Sequence, residues 1–499
     1  LAFSSAPTWA DDAEDEAGFK PIFNGKDLEG WDGNPKFWSV EDGAITGRTT
    51  AENPTQGNTF LIWRDGEVDD FVLRLDYKLV GGNSGIQYRS KDHGNWVVGG
   101  YQADFEAGPT YTGINYEERG RGILAERGKR ATIAADGKKE QEQIADSAEL
   151  QKLIKPEDWN SYEIIASGNH LIHKINGTVF SETIDNEAAK RAMSGILAFQ
   201  VHAGPPMTVQ FKNVRLKRTK LAAVPGLGDR KKLVMIAGGR SHGPGDHEFN
   251  AGCWLLKKCL DENVPQLVSA KYTNGWPKDA TAFDNADAVF IYSDGGGGHP
   301  AVQQDRLAFL DALAKNGVGI ACAHYAVEVP KDKGGPEFLD WIGGYFETFW
   351  SVNPHWTLQQ TKLAEGHPIT RGVQPFEIRD EWYYHMRFRD NMQGVTPILS
   401  ALPPDATRGE DGVNAPHGGN PHVQKRKGMH EVLAWAAERP EGGRGFGYTG
   451  GHFHRNWGDD NNRKLVLNAL VWTSGLEVPS DGVNSTISED DLQKNLDPK

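Results

Sequence analysis

Apolar and polar residues alternate in the first half of the chain and run together in the second. Phe71, Leu73, Leu75, Tyr77 and Leu79 fall on one side of residues 71–80 while Arg74, Asp76 and Lys78 fall on the other, a period of two that predicts a half-buried strand. Residues 84–89, 101–106, 162–167, 170–175, 195–202 and 207–216 carry the same pattern, separated by Gly, Asn and Asp. About 200 residues of such strands with few helical patterns predict an antiparallel sandwich of jelly-roll type. Residues 217–231 then lose all periodicity around Pro225 and two glycines, the mark of a linker. Beyond it, residues 232–237, 288–293 and 318–323 are continuous apolar runs, the kind buried on both faces of a parallel sheet. Helical patterns at 248–260, 301–316 and 462–473 alternate with them, which predicts a doubly wound α/β domain.

Length and composition narrow the picture. A chain of 499 residues has room for two or three folding units. The expected division is a terminus at 1–16, a sandwich at 17–218, a linker at 219–230, an α/β domain at 231–476 and a tail at 477–499. The formal charge of −14 argues against a nucleic-acid partner. No run approaches the ~20 apolar residues of a membrane span. Residues 1–10 (LAFSSAPTWA) resemble the small-residue end of a secretory signal, so a periplasmic or secreted location with cleavage near Ala10 is expected. Cys253 and Cys259, six apart in a predicted helix, would be separated by about 9 Å of rise, beyond disulfide reach.

Candidate chemistry in the first half lies on the polar faces of three strands. Gln102, Asp104 and Glu106 alternate with Tyr101 and Phe105; Gln87 and Arg89 share one spacing, and Gln200 and His202 another. Planar amides, carboxylates and a guanidinium suit sugar hydroxyls, although a solvated outer face reads the same way. With Gly81-Gly-Asn-Ser-Gly-Ile-Gln-Tyr-Arg89, Gly100-Tyr-Gln-Ala-Asp104, Leu197-Ala-Phe-Gln-Val-His202 and residues 209–216, the region resembles the 3-keto-disaccharide hydrolase family over residues 17–218. The resemblance implies a concanavalin-like sandwich acting on glycosides whose C3 hydroxyl has become a ketone. That ketone acidifies the C2 proton, so a base can remove it while the C1 substituent leaves. Asp104, Glu106 and His202 are the candidate acids and bases, Arg89 the candidate charge partner, and Asn83, Gln87, Tyr101, Gln102 and Gln200 the candidate substrate contacts. Many relatives carry Glu where this chain has Gln102, so the base must lie at Asp104, Glu106 or His202.

Twelve of the 16 histidines lie beyond residue 218. His242, His299, His324, His385, His452 and His454, with Glu381, fall in loops or at predicted strand ends, the edge where open parallel sheets bind ligands. Their spacing fits a metal site, a polar ligand pocket or structural hydrogen bonding, and lacks the short fixed interval of a strong zinc motif. Gly317-Val-Gly-Ile-Ala-Cys-Ala-His324, His367-Pro-Ile-Thr-Arg-Gly372, Asp380-Glu-Trp-Tyr383 and Gly445-Phe-Gly-Tyr-Thr-Gly-Gly-His452 resemble the ThuA-like trehalose-utilisation family over about residues 230–475. This implies the flavodoxin-like sheet of class I glutamine amidotransferases, with His324 at or next to the sharp turn that bears a Cys in those enzymes, and Cys322 inside the strand. His324, Glu381 and His452 are the residues expected to share a pocket, with one divalent metal as the candidate cofactor. The combined expectation is a carbohydrate-processing enzyme with a sugar or glycoside substrate. The alternative is a glycan-binding module fused to a ThuA-like scaffold or catalytic domain.

Overall fold

Residues 71–80 form the ten-residue strand Phe71–Val80, with its apolar positions buried and its charged positions half-buried, as the period-two pattern requires. A computed structural model describes residues 16–440 and 442–498. The proposed cleavage near Ala10 lies outside the described residues. Two compact units form: one runs to Asp229 and takes in Lys278–Asn285, and the other comprises Arg230–Pro277 and the residues from Ala286 onward.

The first unit is a two-sheet sandwich. Phe71–Val80 sits mid-sheet between Asn160–Ser167 and Met207–Arg218 in a ten-stranded sheet. The second sheet has seven strands, with Asn83–Asp92 at its centre between Val98–Glu106 and Ile196–Val201. Leu73, Leu75, Tyr77, Ile86, Tyr88, Phe105, Phe199 and Phe211 pack in one core between the sheets, and Phe199 stacks on Phe211 at 4.0 Å. The sandwich is not purely antiparallel as expected, because Lys129–Ile133 runs parallel to Thr178–Asp185. The neighbouring edge strand Lys139–Gln143 (KEQEQ) is mostly exposed, so it has no alternating apolar signature to detect.

The second unit is built on an eight-stranded sheet. Leu267–Tyr272, Lys231–Ala237, Ala288–Tyr292, Gly319–Ala323 and Arg444–Tyr448 are parallel neighbours in that order. Glu431–Glu438, Val395–Ala401 and Lys362–Leu363 then continue the sheet antiparallel, so it is mixed rather than wholly parallel. The helices Phe249–Asn263 and Asp460–Thr473 fall within three residues of where the apolar periodicity places them, while the third, Arg306–Lys315, starts five residues later than expected, after the short turn Pro300–Val302. All three cysteines are buried and free. No helix among the described residues is long and apolar enough to cross a membrane.

The C-terminal segment expected to be a tail is part of this core. Val478, Val483 and Leu492 are buried against it. The Asp497 amide donates to Glu248 Oε2 at 2.7 Å, and Glu248 Oε1 accepts the Gly245 amide in the loop that carries His247. Burial of a Val or Leu contributes about 1.5–3 kcal/mol. Truncation after Leu476 is therefore expected to destabilise the second unit by on the order of 5 kcal/mol, visible as a drop in its melting temperature. An unchanged melt would show that the segment contributes nothing.

Candidate functional site

Strand alternation divides the residues of Val98–Glu106 between two environments. Tyr101, Ala103 and Phe105 point into the sandwich core, which leaves Gln102 and Asp104 on the opposite face of the seven-stranded sheet. There the polar side chains form one connected chain. Ser90 Oγ donates to Gln87 Oε1 at 2.6 Å, Gln87 Nε2 to Gln102 Oε1 at 2.7 Å, and Gln102 Nε2 to Asp104 Oδ2 at 2.8 Å. Asn83 Nδ2 donates to the other Asp104 oxygen at 2.8 Å. Gly85, paired with Asp104, makes this possible: a Cβ there would lie 2.4 Å from Gln102 Cδ. Gln200 reaches the same chain, and its Nε2 is buried without a protein partner. Burial pushes the Asp104 carboxyl up to about 7, against the pull of the Asn83 and Gln102 donors. Glu118 lies within the electrostatic reach of Asp104, and Tyr116 feels both carboxylates. Neither residue is among the polar positions that strand alternation singles out.

Other first-unit candidates have different duties. Arg89 is buried, pairs with Asp70 at 2.7 Å and donates to the carbonyls of Asp69 and Gly168, so it cannot serve as the charge partner of a substrate. Tyr101 is a core residue whose hydroxyl donates to Asp185 at 2.6 Å. Glu106 Oε1 accepts the Thr110 and Tyr111 amides and ties down a turn at the strand end. His202 is half-buried one residue past Ile196–Val201.

In the second unit, four parallel strands deliver side chains to one point beyond their carboxyl ends. His247 lies in the loop after Lys231–Ala237, Asp294 follows Ala288–Tyr292, His324 follows Gly319–Ala323 and His452 follows Arg444–Tyr448. Glu381 ends the short strand Arg379–Glu381, which pairs with His355–Thr357. His324 holds a left-handed φ of 53° at the strand-to-turn elbow, which swings its ring into the cluster. Cys322 stays buried inside the strand, its thiol pushed well up by burial.

The donors form a closed ring. His247 Nε2 is 3.0 Å from both His452 Nδ1 and His324 Nε2, and Glu381 Oε2 is 3.0 Å from His452 Nδ1 and 3.4 Å from His324 Nε2. All four donor atoms lie within 4.8 Å of one another. Donors bound to one ion at ~2.1 Å sit roughly 3.0–3.4 Å apart, as cis neighbours in an octahedron or corners of a tetrahedron. A ring nitrogen carries one proton or one lone pair, so His247 Nε2 can satisfy only one of its two imidazole neighbours through a hydrogen bond. A cation at the centre would satisfy all four donors, so the residues fit a divalent ion. Burial pulls the His247 imidazole down to about 3 despite its contact with Asp294, which keeps its lone pair available. Burial opposes ionisation of Glu381, yet the His324 and His452 rings hold its carboxyl well below the ordinary carboxylate range.

Each donor is oriented from behind, as metal ligands require. His324 Nδ1 faces the Thr449 carbonyl at 3.0 Å, His247 Nδ1 faces Asp294 Oδ1 at 3.2 Å, and Asn353 Nδ2 donates to Glu381 Oε1 at 3.0 Å. Buried Asp380 accepts the Gly451 and His452 amides at 2.9 and 3.0 Å and so locks the His452 loop to the strand of Glu381.

Of the predicted pocket residues, the fold brings His324, Glu381 and His452 together. His247, absent from that prediction, completes the ring, while His242 stacks against it from the exposed side at 3.6 Å. His299 does not join: it is buried, its Nδ1 accepts the Ala301 amide and its Nε2 faces the Ala326 carbonyl. His454 is likewise buried against the Leu492 carbonyl. His385 stacks on Trp350 near Glu431, away from the ring.

Residues 18–217 match the family model of the 3-keto-alpha-glucoside-1,2-lyase-like domain, and residues 239–473 match that of trehalose utilisation. No curated protein matches the chain. Among solved structures, the chain is similar to a candidate glycosyl hydrolase from Parabacteroides distasonis ATCC 8503, with 20% identity and a TM-score of 0.28 over 40% of this chain and 99% of that one. A thua-like protein from Bacteroides uniformis ATCC 8492 aligns at 15% identity and a TM-score of 0.37, over 49% of this chain and 91% of the other. The carbohydrate-binding module CBM66 from Bacillus subtilis aligns at 14% identity and a TM-score of 0.27, over 38% and 95%.

Proposed function

We propose that this chain, whose residues 18–217 belong to the 3-keto-alpha-glucoside-1,2-lyase-like family and whose residues 239–473 belong to the trehalose utilisation family, cleaves 3-keto-glycosides through removal of the C2 proton. The observation that carries this reading is Asp104: a buried carboxyl held between two amide donors, with its proton affinity brought near neutrality. A base of that affinity is matched to a carbon acid at physiological pH.

Asp104 takes the C2 proton, and the C2–H electron pair forms the C1–C2 double bond as the C1–oxygen bond breaks with its pair. Gln200 Nε2, the buried donor without a protein partner, is the group assigned to the charge that gathers on the C3 oxygen. It takes the role that Arg89 cannot fill. His202, one residue past the strand that carries Gln200, is the donor assigned to the departing oxygen, and water then adds to the unsaturated sugar.

In the second unit, His247, His324, Glu381 and His452 would hold one divalent ion. Such an ion polarises sugar carbonyl and hydroxyl oxygens. Glu381 and His452 keep 13% and 7% of their side chains exposed while His324 keeps none, so solvent and substrate meet the ring on the Glu381–His452 side.

The test of the cleavage reading compares a chromogenic 3-keto-glucoside with the unoxidised glucoside. Release from the first only is expected, because only the ketone makes C2 acidic. Equal rates would sink the mechanism, and binding without release would assign the face to glycan capture.

A further inference from the structure

Glu328 and His417 form a hydrogen-bonded carboxylate–imidazole pair beside the four-donor ring. Glu328 lies four residues past the His324 elbow and is buried, and His417 Nε2 sits 3.1 Å from its Oε1. The His417 side chain is 44% exposed, so of the two it is the one that meets solvent and ligand. Both are fixed by backbone contacts. The Gly296 amide donates to the Glu328 carbonyl, and the Asn353 amide, next to the strand that pairs with Glu381, donates to the His417 carbonyl. The Phe346 ring packs against His417 at 5.5 Å and Tyr383 at 5.3 Å, and Tyr383 packs on His324 at 4.8 Å. A Cβ on Gly296 would stand 3.6 Å from Glu328 Oε1 and 3.8 Å from the Tyr325 hydroxyl, so the glycine turn borders the carboxylate without crowding it.

Pure structural duty is a poor account of this pair. Glu328 is buried within repulsive reach of Glu381, and Tyr325 feels both carboxylates. Placing a second acid near an existing one costs stability that an apolar pair would not. A carboxylate that fixes one imidazole nitrogen leaves the other free to exchange a proton, the arrangement general acid–base sites use.

We propose that His417 is the acid–base residue for sugars held at the His247–His324–Glu381–His452 ring, with Glu328 as its positioning residue. The ligand class is a sugar bearing a ketone beside a hydroxylated carbon. His417 Nδ1 takes the proton from that carbon, the C–H pair forms a carbon–carbon double bond, and the ketone π pair moves onto its oxygen; return of the proton reverses the step. This inference rests on the metal reading of the ring.

The experiment uses the full chain with Asp104→Asn as parent, so that the sandwich base is silent. Free 3-keto-glucose in D2O is followed by NMR for loss of hydrogen at the carbons flanking the ketone, and the ion content of each protein is measured. His417→Ala and the size-matched His417→Gln should slow exchange by about 10²-fold or more, with Glu328→Gln intermediate. All three should keep the parent's ion content. In ion-free parent, the ¹⁵N spectrum of His417 should report a single tautomer protonated at Nε2, and Glu328→Gln should mix the two. Parental exchange rates in folded variants, or loss of the ion from them, would overturn the assignment. A parent that holds no ion overturns the metal reading instead, before any variant is compared.

Discussion

Extensively dialysed protein is expected to carry one divalent ion per chain, and His452→Ala to carry almost none. His452 bridges His247 and Glu381 in the donor ring, so its loss removes one ligand and unseats two others. His324→Ala should act likewise, since it removes one of the four donors while the backbone keeps the left-handed φ that the histidine already adopts. Asp380→Ala leaves all four ligands in place but frees the His452 loop, and about a 10–100-fold loss of affinity is expected, as for other groups that orient ligands. His299→Ala is the control: that ring caps a turn and faces a carbonyl, so the ion should stay. Acidification should release the ion, because protons compete for the ligand lone pairs; His452, whose imidazole burial pulls down but Glu381 lifts above its ordinary value, is the first of them to take a proton. Elemental analysis decides: protein without an ion, or His452→Ala with a full one, would make the ring a hydrogen-bonded sugar surface.

Asp104→Asn is expected to lower turnover of a 3-keto-glucoside by about 10²–10⁴-fold while the sandwich stays folded. Gln102→Leu should cost less, since it removes one of the two donors on Asp104 and leaves the carboxyl in place. Because the folded carboxyl is pushed up to about 7, wild-type kcat/KM should rise with pH through neutrality. Stability should move the opposite way. A carboxyl whose folded pKa exceeds its unfolded value of about 3.9 contributes stability that is complete below that value and is lost as pH rises through the folded one. Denaturant titrations at pH 5 and pH 8 should therefore show a decline for wild type that Asp104→Asn reduces. A turnover rate that survives the substitution would return Asp104 to a structural role.

Much of the fold was legible where burial repeats with the backbone. Phe71–Val80 and His170–Ile175 have the bounds their alternation implies, and three apolar runs became adjacent parallel strands. The charged edge strand Lys139–Gln143 and the parallel pairing beside it were not legible, because exposed edges carry no apolar repeat. The site divides along the same line. Alternation alone put Gln102 and Asp104 on one face, and it equally excludes Tyr101 from that face, a consequence the reading of residue types overlooked.

The sequence by itself determined a strand-rich sandwich followed by an α/β unit and the strand ends where histidines collect, since each follows from local periodicity and from the position of polar residues relative to apolar runs. It did not determine the parallel pair in the first unit or the antiparallel strands in the second. Which histidines share a centre was decided only by tertiary structure. Between His242 and His247 only the folded loop decides: the exposed His242 ring packs on the outer side of His247, while buried His247 sits in the four-donor cluster. His299 and His454 look alike in sequence to His324, yet backbone carbonyls claim them. His324 meets Glu381 and His452 because separate loops converge beyond the carboxyl ends of parallel strands, and such convergence over 57 and 128 positions leaves no mark in any local pattern.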